Sequence, residues 1–147
     1  MNAVDTNVYV YALDADEPAK QAKAIELLGR LALKRVDSVI VWQVANEFLG
    51  QLRKWESKGQ LTSAAVEAAF QRFRATFPLR FPSERVFQVS FDLHSRFSLS
   101  HWDGMLLAAC KEAGVTTLYS EDMAAGMSAV KGDIHHPLEM MNVPFFV

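Results

Sequence analysis

The sequence contains a single cysteine, so no disulfide can form within the chain and nothing indicates an oxidising compartment. Neither sign of charge dominates, because the formal net charge at pH 7 is only −2, and charge alone makes no case for nucleic acid binding. No apolar run approaches the length of a membrane span, and the N-terminus has no basic segment followed by an apolar one. We therefore expect a cytoplasmic protein without a signal peptide or a membrane-spanning segment.

What the chain does contain is an ordinary globular composition. Its 147 residues are 50% hydrophobic and 22% charged, which is typical of a folded protein rather than a disordered one. This length predicts one domain, residues 1–147, with a single core. Charge is uneven along the chain: basic residues outnumber acidic ones between Arg30 and Ser100, and acidic residues prevail at both ends.

Strands and helices are predicted to alternate. Short apolar runs indicate strands over residues 1–4, 38–42 and 116–119, and a small β segment near Ile134. Apolar residues at helical spacing predict helices between these strands. The predicted helices begin near Val8, Pro18, Gln43, Thr62, Ser83 and Ser100. Gly59 and Gly114 are predicted to end the helices that begin near Gln43 and Ser100. This alternation favours a three-layer α/β/α domain around a mainly parallel sheet.

The same spacing predicts which side chains face the core. Ile25 and Trp102 fall on the apolar sides of their helices, and Trp42 ends the apolar run of a buried strand. Cys110 lies on an apolar helix face, where a packing role is favoured over a reactive one.

Four acidic residues map to one end of the predicted sheet. Asp5 follows the first strand, Glu47 lies near the start of the next helix, Asp103 is in the first turn of the last helix, and Asp122 follows the last predicted strand. Ligands of such sheets bind outside the carboxyl ends of the strands. Clustered carboxylates repel one another unless a cation lies between them, and oxygen ligands suit Mg²⁺ or Mn²⁺.

Each acid, taken singly, also has a purely structural interpretation. Asp5 and Asp122 could cap the helices beside them, Asp103 could complete a capping box with Ser100, and Glu47 could be a solvated helix residue. The metal-site hypothesis therefore depends on all four lying at one end of one sheet.

Four segments, in this order, resemble the PIN domain, and their spacing is similar to that of the VapC toxins of bacterial toxin–antitoxin pairs. The segments are Asp5-Thr6-Asn7-Val8, Asn46-Glu47-Phe48, Ser100 to Ala109, and Leu118 to Met123. The likeness spans nearly the whole chain. It implies a PIN-like fold with a central sheet of about five strands. In this family several apolar residues usually precede the first aspartate, whereas only Met1 to Val4 precede Asp5.

The resemblance assigns roles to individual residues. Asp5, Glu47, Asp103 and Asp122 match the four acids around one or two Mg²⁺ or Mn²⁺ ions. Three further residues match polar positions that support the site: Thr6, Asn7 and Ser120. Glu121 matches a position that is often a bystander, and it is not included among the predicted ligands.

The implied activity is metal-dependent hydrolysis of RNA phosphodiester bonds by an endoribonuclease toxin. Transfer RNAs are common targets in the family, and the implied partners are an antitoxin protein and a second copy of the chain. Phosphate contacts need cations. Candidate cations are Arg53, Lys54, Lys58, Arg72, Arg74, Arg80, Arg85 and Arg96.

Two other functions are considered. The first is a PIN-like binding module whose activity has decayed, against which the intact quartet of acids counts. The second is a phosphatase that uses Asp5 as a covalent nucleophile, as in haloacid-dehalogenase-like enzymes. Those enzymes have a second aspartate two positions later as general acid, and here that position is Asn7.

Overall fold

The computed structural model describes residues 1–121 and the backbone of residues 139–142. Its helices are α1 (Thr6–Leu13), α2 (Pro18–Ala32), α3 (Trp42–Ser57), α4 (Ser63–Arg74), α5 (Arg85–Arg96) and α6 (His101–Glu112). Its strands are β1 (Asn2–Val4), β2 (Ser38–Val41), β3 (Leu79–Arg80), β4 (Thr117–Ser120) and β5 (Glu139–Asn142). A 3₁₀ turn, Arg35–Asp37, precedes β2.

The five strands form one parallel sheet in the order β3-β2-β1-β4-β5. The short strand β1 is central, with Asn2 paired to Ser38 on one side and Thr117 on the other. Pairing continues beyond the strand, because the N–H of Thr116 donates to the carbonyl of Met1 at 2.8 Å. Backbone partners on both sides therefore compensate for the small number of residues before Asp5.

Local capping explains where several helices begin and end. The Thr62 hydroxyl accepts a hydrogen bond from the backbone N–H of the third residue of α4, and the Ser100 hydroxyl does the same for α6. Gly59 and Gly114 follow α3 and α6 with φ values of 74° and 72°, a region that glycine enters without a Cβ penalty. These four positions agree with the boundaries expected from the sequence.

The core combines the sheet with aromatic side chains from three helices. Tyr9, Phe48 and Phe73 are buried, and Phe48 and Phe73 have ring centroids 4.4 Å apart. Tyr9 meets Phe73 edge-on at 4.7 Å, a favoured arrangement of aromatic rings. Cys110 is fully buried, as predicted for a packing residue.

The predicted α/β class with a mainly parallel sheet is confirmed, but three side chains lie elsewhere than expected. Trp42 begins α3 instead of ending β2 and is 43% exposed, while Ile25 and Trp102 are 55% and 68% exposed. The buried residues of α2 are Ala24 and Leu27 instead, because this helix packs mainly against α1, and that contact covers only part of its apolar pattern.

Two strands were not predicted, β3 and β5. Strand β3 has only two residues, too few for an alternating or continuous apolar pattern. The predicted β segment near Ile134 lies outside the described residues. Among residues 1–121 and 139–142, no helix is both long and apolar enough to cross a membrane.

Candidate active site

The candidate site lies at the carboxyl ends of the two central strands. Val4 pairs with Tyr119, so β1 and β4 end side by side. Asp5 follows the first of these strands directly, and Ser120 is the last residue of the second. This is the edge at which parallel α/β sheets bind their ligands.

Asp5 is held by hydrogen bonds to both carboxylate oxygens. The backbone N–H of Thr6 donates to Oδ1 at 2.7 Å, which caps α1, and the buried Ser120 hydroxyl donates to Oδ2 at 2.6 Å. The N–H of Asp5 itself donates to the carbonyl of Tyr119 at 2.9 Å. Asp5 is therefore a helix cap, as its structural interpretation required, and is also fixed to β4 across 115 residues of sequence.

Glu47 joins the same hydrogen-bonded cluster. It lies in α3, which follows β2, and its Oε2 accepts the Thr6 hydroxyl at 2.9 Å. Its other oxygen, Oε1, accepts from the side-chain amide of Gln43 at 3.0 Å. Thr6 thus links two carboxylates: its N–H supports Asp5, as the resemblance implies, and its hydroxyl supports Glu47. The solvated-helix interpretation of Glu47 does not account for this long-range contact.

Asp103 lies in the first turn of α6, and this turn is joined to the cluster through the backbone of Trp102. The Gln43 amide that holds Glu47 also donates to the carbonyl of Trp102 at 3.2 Å, which ties the start of α6 to α3. Asp103 is half-buried, and its N–H is capped by the Ser100 hydroxyl at 3.1 Å. Asn7 is also half-buried, in the first turn of α1.

Asp122 lies outside the described residues, so the fourth predicted acid is not placed. Within the part of the chain that the structure describes, no three His, Cys, Asp or Glu side chains form a group that could hold a metal ion. The described residues bring Asp5, Glu47, Thr6 and Ser120 together, and Asp103 remains a neighbour on the adjoining helix.

Glu121 forms an ion pair that the sequence did not reveal. Its carboxylate lies 3.1 Å from the Lys20 ammonium, and both side chains are largely buried. Lys20 also donates to the Tyr11 hydroxyl at 3.1 Å, and this hydrogen bond is the main cause of the raised pKa of Lys20. Burial, followed by hydrogen bonding to Glu121, raises the pKa of Tyr11. Glu121 therefore has a cationic partner of its own, which agrees with its exclusion from the predicted ligands.

The negative charge of the site also affects the pKa of a buried thiol, that of Cys110. Burial raises the pKa of Cys110 well above its usual range, and the charge of Asp5 raises it further. Both effects keep the thiol protonated, and an uncharged thiol is a poor nucleophile and a poor metal ligand.

An apolar cavity of about 430 Å³ adjoins the carboxylate cluster. Glu47, Gln43 and Asn46 of α3 contribute polar atoms to its wall, and α6 contributes His101 and Trp102. The remaining lining residues are Trp42, Pro82, Ser83, Glu84, Val86, Phe87, Met105 and Ala109. The sequence pattern did not reveal this cavity, because it placed Trp42 and Trp102 in the core.

Some candidate cations are committed to partners on their own helices. Arg53 pairs with Glu56 at 3.1 Å, and Arg96 pairs with Asp92 at 3.1 Å. Exposed pairs of this kind contribute little stability, so they can reopen for another anion at low cost.

Sequence comparison identifies no relative: no protein-family model matches the chain, and no curated protein matches it significantly. Structure comparison finds solved structures with a similar fold. The chain is similar to VapBC2 from Rickettsia felis, solved with a DNA fragment from their promoter, with a TM-score of 0.68, 16% identity, and coverage of 96% of this chain and 97% of that chain.

Two further solved structures are similar. A toxin–antitoxin complex from Klebsiella pneumoniae has a TM-score of 0.59 and 14% identity, over 84% of this chain and 88% of that chain. VapC20 from Mycobacterium tuberculosis, described as a sarcin–ricin loop cleaving toxin, has a TM-score of 0.60 and 16% identity, over 84% and 92%. At these identities the likeness confirms the predicted VapC-type PIN fold.

Proposed function

We propose that this chain, which has the fold of the VapC toxins, is a metal-dependent endoribonuclease and the toxin of a toxin–antitoxin pair. The observation that carries the proposal is the hydrogen-bonded cluster in which Thr6 joins Asp5 to Glu47 and Ser120 fixes Asp5 to β4. Two carboxylates held together at the ligand-binding edge of a parallel sheet suit cation binding better than any purely structural role.

The donors present fit a hard divalent cation. Asp5, Glu47 and Asp103 offer carboxylate oxygen, which Mg²⁺ and Mn²⁺ prefer. A carboxylate has about four acceptor positions. Glu47 accepts two described hydrogen bonds, one on each oxygen, so the described contacts leave it capacity for a cation. Asp5, Glu47, Asp103 and Asp122 would hold the metal, with Thr6, Asn7 and Ser120 supporting them.

When bound, the cation activates water for attack on phosphorus and neutralises charge on the phosphate. The chain's own residues prepare the site for it. The Thr6 N–H and Ser120 hydroxyl hold Asp5 in one orientation, and Thr6 and Gln43 hold Glu47 in another. Because four donors fix two carboxylates, little reorganisation is needed when the ligand arrives.

The partners proposed are an RNA substrate, a cognate antitoxin protein and a second copy of the chain. Two of the similar structures are described as toxin–antitoxin assemblies, and one is a toxin that cleaves the sarcin–ricin loop. The fold shared with them supports an RNA target of the structured or transfer RNA kind.

The test is cleavage of total bacterial RNA by the purified protein with Mn²⁺ or Mg²⁺, compared with the same reaction in chelator. Glu47→Gln should abolish cleavage while keeping the fold. Glu121→Gln is the matched control, because it removes a carboxylate of the same length from the same edge, but one that Lys20 already neutralises. It should have a much smaller effect.

The second candidate, a decayed binding module, makes the opposite prediction. It has in its favour that the described residues contain no complete group of three metal ligands. Under that hypothesis the wild-type protein binds RNA or a protein partner but cuts no RNA at millimolar Mn²⁺. Cleavage that is lost with Asp5→Asn and with Asp103→Asn would eliminate it.

A further inference from the structure

Large exposed apolar side chains gather around the cavity beside Glu47. Trp42, Phe87 and Trp102 all line it, with 43%, 60% and 68% of their surfaces exposed. Leaving three aromatic side chains in water around one depression is unfavourable, and such clusters commonly mark binding sites. The cavity is within the size range of small-ligand sites.

The cavity is continuous with the carboxylate cluster. Glu47 lines it, and Gln43 contacts both Glu47 and the backbone of Trp102. A polymer whose phosphate lies at the cation site proposed for Asp5 and Glu47 therefore places its adjoining groups in or beside this cavity. This continuity favours the substrate of the proposed reaction over an unrelated ligand.

The charge of the wall indicates which part of a nucleotide enters. Among the described residues, the lining includes the carboxylates of Glu47 and Glu84 and contains no lysine or arginine. A phosphate would be repelled there, whereas a neutral ring would not. Gln43, Asn46 and His101 supply hydrogen-bonding groups at the edge of an otherwise apolar wall. Aromatic faces with a few polar groups are what single-stranded RNA bases stack and bond to.

The depression also continues away from the carboxylates. A second cavity of about 240 Å³ shares Phe87, His101 and Met105 with the first and adds the exposed ring of Phe91. Two consecutive aromatic-lined depressions suit an extended strand with successive bases unstacked. Bases within a duplex are stacked on one another and cannot enter them.

We propose that this groove, defined by the two cavities, is a nucleobase subsite in which a base of single-stranded RNA stacks on Trp102 next to the scissile region. The inference rests on the proposed function, because it takes RNA as the substrate of the Asp5–Glu47 cluster.

The experiment measures binding separately from cleavage. Fluorescence anisotropy would follow a labelled single-stranded oligoribonucleotide of mixed sequence, titrated with wild-type protein in chelator so that no cleavage occurs. Trp102→Ala should weaken binding about tenfold, within the range for loss of one base–aromatic stack. Trp102→Phe should retain most of the affinity, and a duplex of the same sequence should bind more weakly to wild type.

Phe81→Ala is the control, because Phe81 is equally exposed, at 73%, but lines neither cavity of the groove. It should bind the oligoribonucleotide as wild type does. Unchanged affinity in Trp102→Ala would overturn the subsite. If Trp102→Ala also shifts the protein from dimer to monomer in sedimentation while its affinity is unchanged, the groove is an interface between copies.

Failure of the proposed function would look different. A wild-type protein that binds the oligoribonucleotide in a Trp102-dependent way, yet cuts no RNA with Mn²⁺, would retain the subsite and refute the nuclease. A protein that cuts RNA with equal kcat/KM in wild type and Trp102→Ala would retain the nuclease and refute the subsite.

Discussion

Thr6 shows how one residue can position two carboxylates. Its backbone N–H belongs to the cap of α1, so that contact to Asp5 survives any side-chain change. Its hydroxyl is the long-range contact, to Glu47 at 2.9 Å. The two functions can therefore be separated by substitution.

We predict that Thr6→Val lowers RNA cleavage by about 10- to 100-fold, the usual cost of losing a group that orients a metal ligand. The fold should be kept, because valine preserves the branched shape while removing only the hydroxyl. Thr6→Ser should restore most of the activity. The measurement is kcat/KM against Mn²⁺ concentration, and a Thr6→Val protein with the Mn²⁺ dependence of wild type would contradict the positioning role.

A second residue-scale prediction concerns alkaline pH. Burial raises the pKa of Tyr9 far above its usual value near 10. Above pH 10 the folded protein therefore keeps a phenol proton that the unfolded chain releases. The neutral phenol's contribution to stability is complete below pH 10. It is lost as pH rises above 10, by about 1.4 kcal/mol per pH unit.

Tyr9→Phe should remove that part of the pH dependence. The Tyr9 hydroxyl lies beside the Thr76 side chain but makes no hydrogen bond of ordinary geometry in the described residues, so its loss should cost little at neutral pH. Denaturant titrations at pH 8, 10 and 11 would give the free energies of unfolding. Parallel pH profiles for wild type and Tyr9→Phe would show that the Tyr9 proton is not linked to folding.

At the scale of elements, α6 carries one proposed ligand, Asp103, and begins at a capped N-terminus. The cap is the hydroxyl of Ser100, which accepts the N–H of Asp103 at 3.1 Å. Helix α4 has a cap of the same kind, where Thr62 accepts the N–H of Ala65 at 3.1 Å, but it contributes no proposed metal ligand.

We predict that Ser100→Ala and Thr62→Ala lower the free energy of unfolding by similar amounts, about 1 kcal/mol each. Only Ser100→Ala should also lower RNA cleavage, because fraying of the first turn of α6 displaces Asp103. Stability from denaturant titration and kcat/KM for both variants provide the comparison. Equal losses of activity in the two variants would mean that global stability, and not the position of α6, controls the rate.

At the scale of the whole molecule, stability should depend on the metal. A cation that binds only the folded state adds about 2.7 kcal/mol at a hundredfold excess over its dissociation constant. For a chain of this size the melting temperature should rise by roughly 5 to 10 °C. Asp5→Asn should lose most of this response, and in chelator it should melt no lower than wild type because one like charge has been removed.

The measurement is a melting series of both proteins in chelator, Mg²⁺ and Mn²⁺. No shift for wild type at millimolar Mn²⁺ would refute the metal site. An equal shift in both proteins would place the cation somewhere other than Asp5.

Local signals in the sequence were sufficient for much of the architecture. Strand β2, the caps Thr62 and Ser100, and the ends of α3 and α6 at Gly59 and Gly114 depend on neighbouring residues, so they could be predicted. The nearness of Asp5 to Glu47 was expected from the rule that parallel α/β sheets bind ligands at the carboxyl ends of their strands. The order of the strands was not predicted, because β3 and β5 were missed. The proposed ligands therefore came from the sequence, and Asp122 among them stays a prediction.

Tertiary structure alone decided the contacts between distant segments. The Lys20–Glu121 ion pair, the Thr6–Glu47 hydrogen bond and the shared contacts of Gln43 join residues with no periodic relation in sequence. The tryptophans show the same limit. Helical spacing places Trp102 on an apolar face, but only the packing of α6 against α5 determines whether that face is covered. Trp102 remains exposed beside Glu47 because hydrophobicity specifies a preference for burial, while the neighbouring elements determine how much surface is available to bury it.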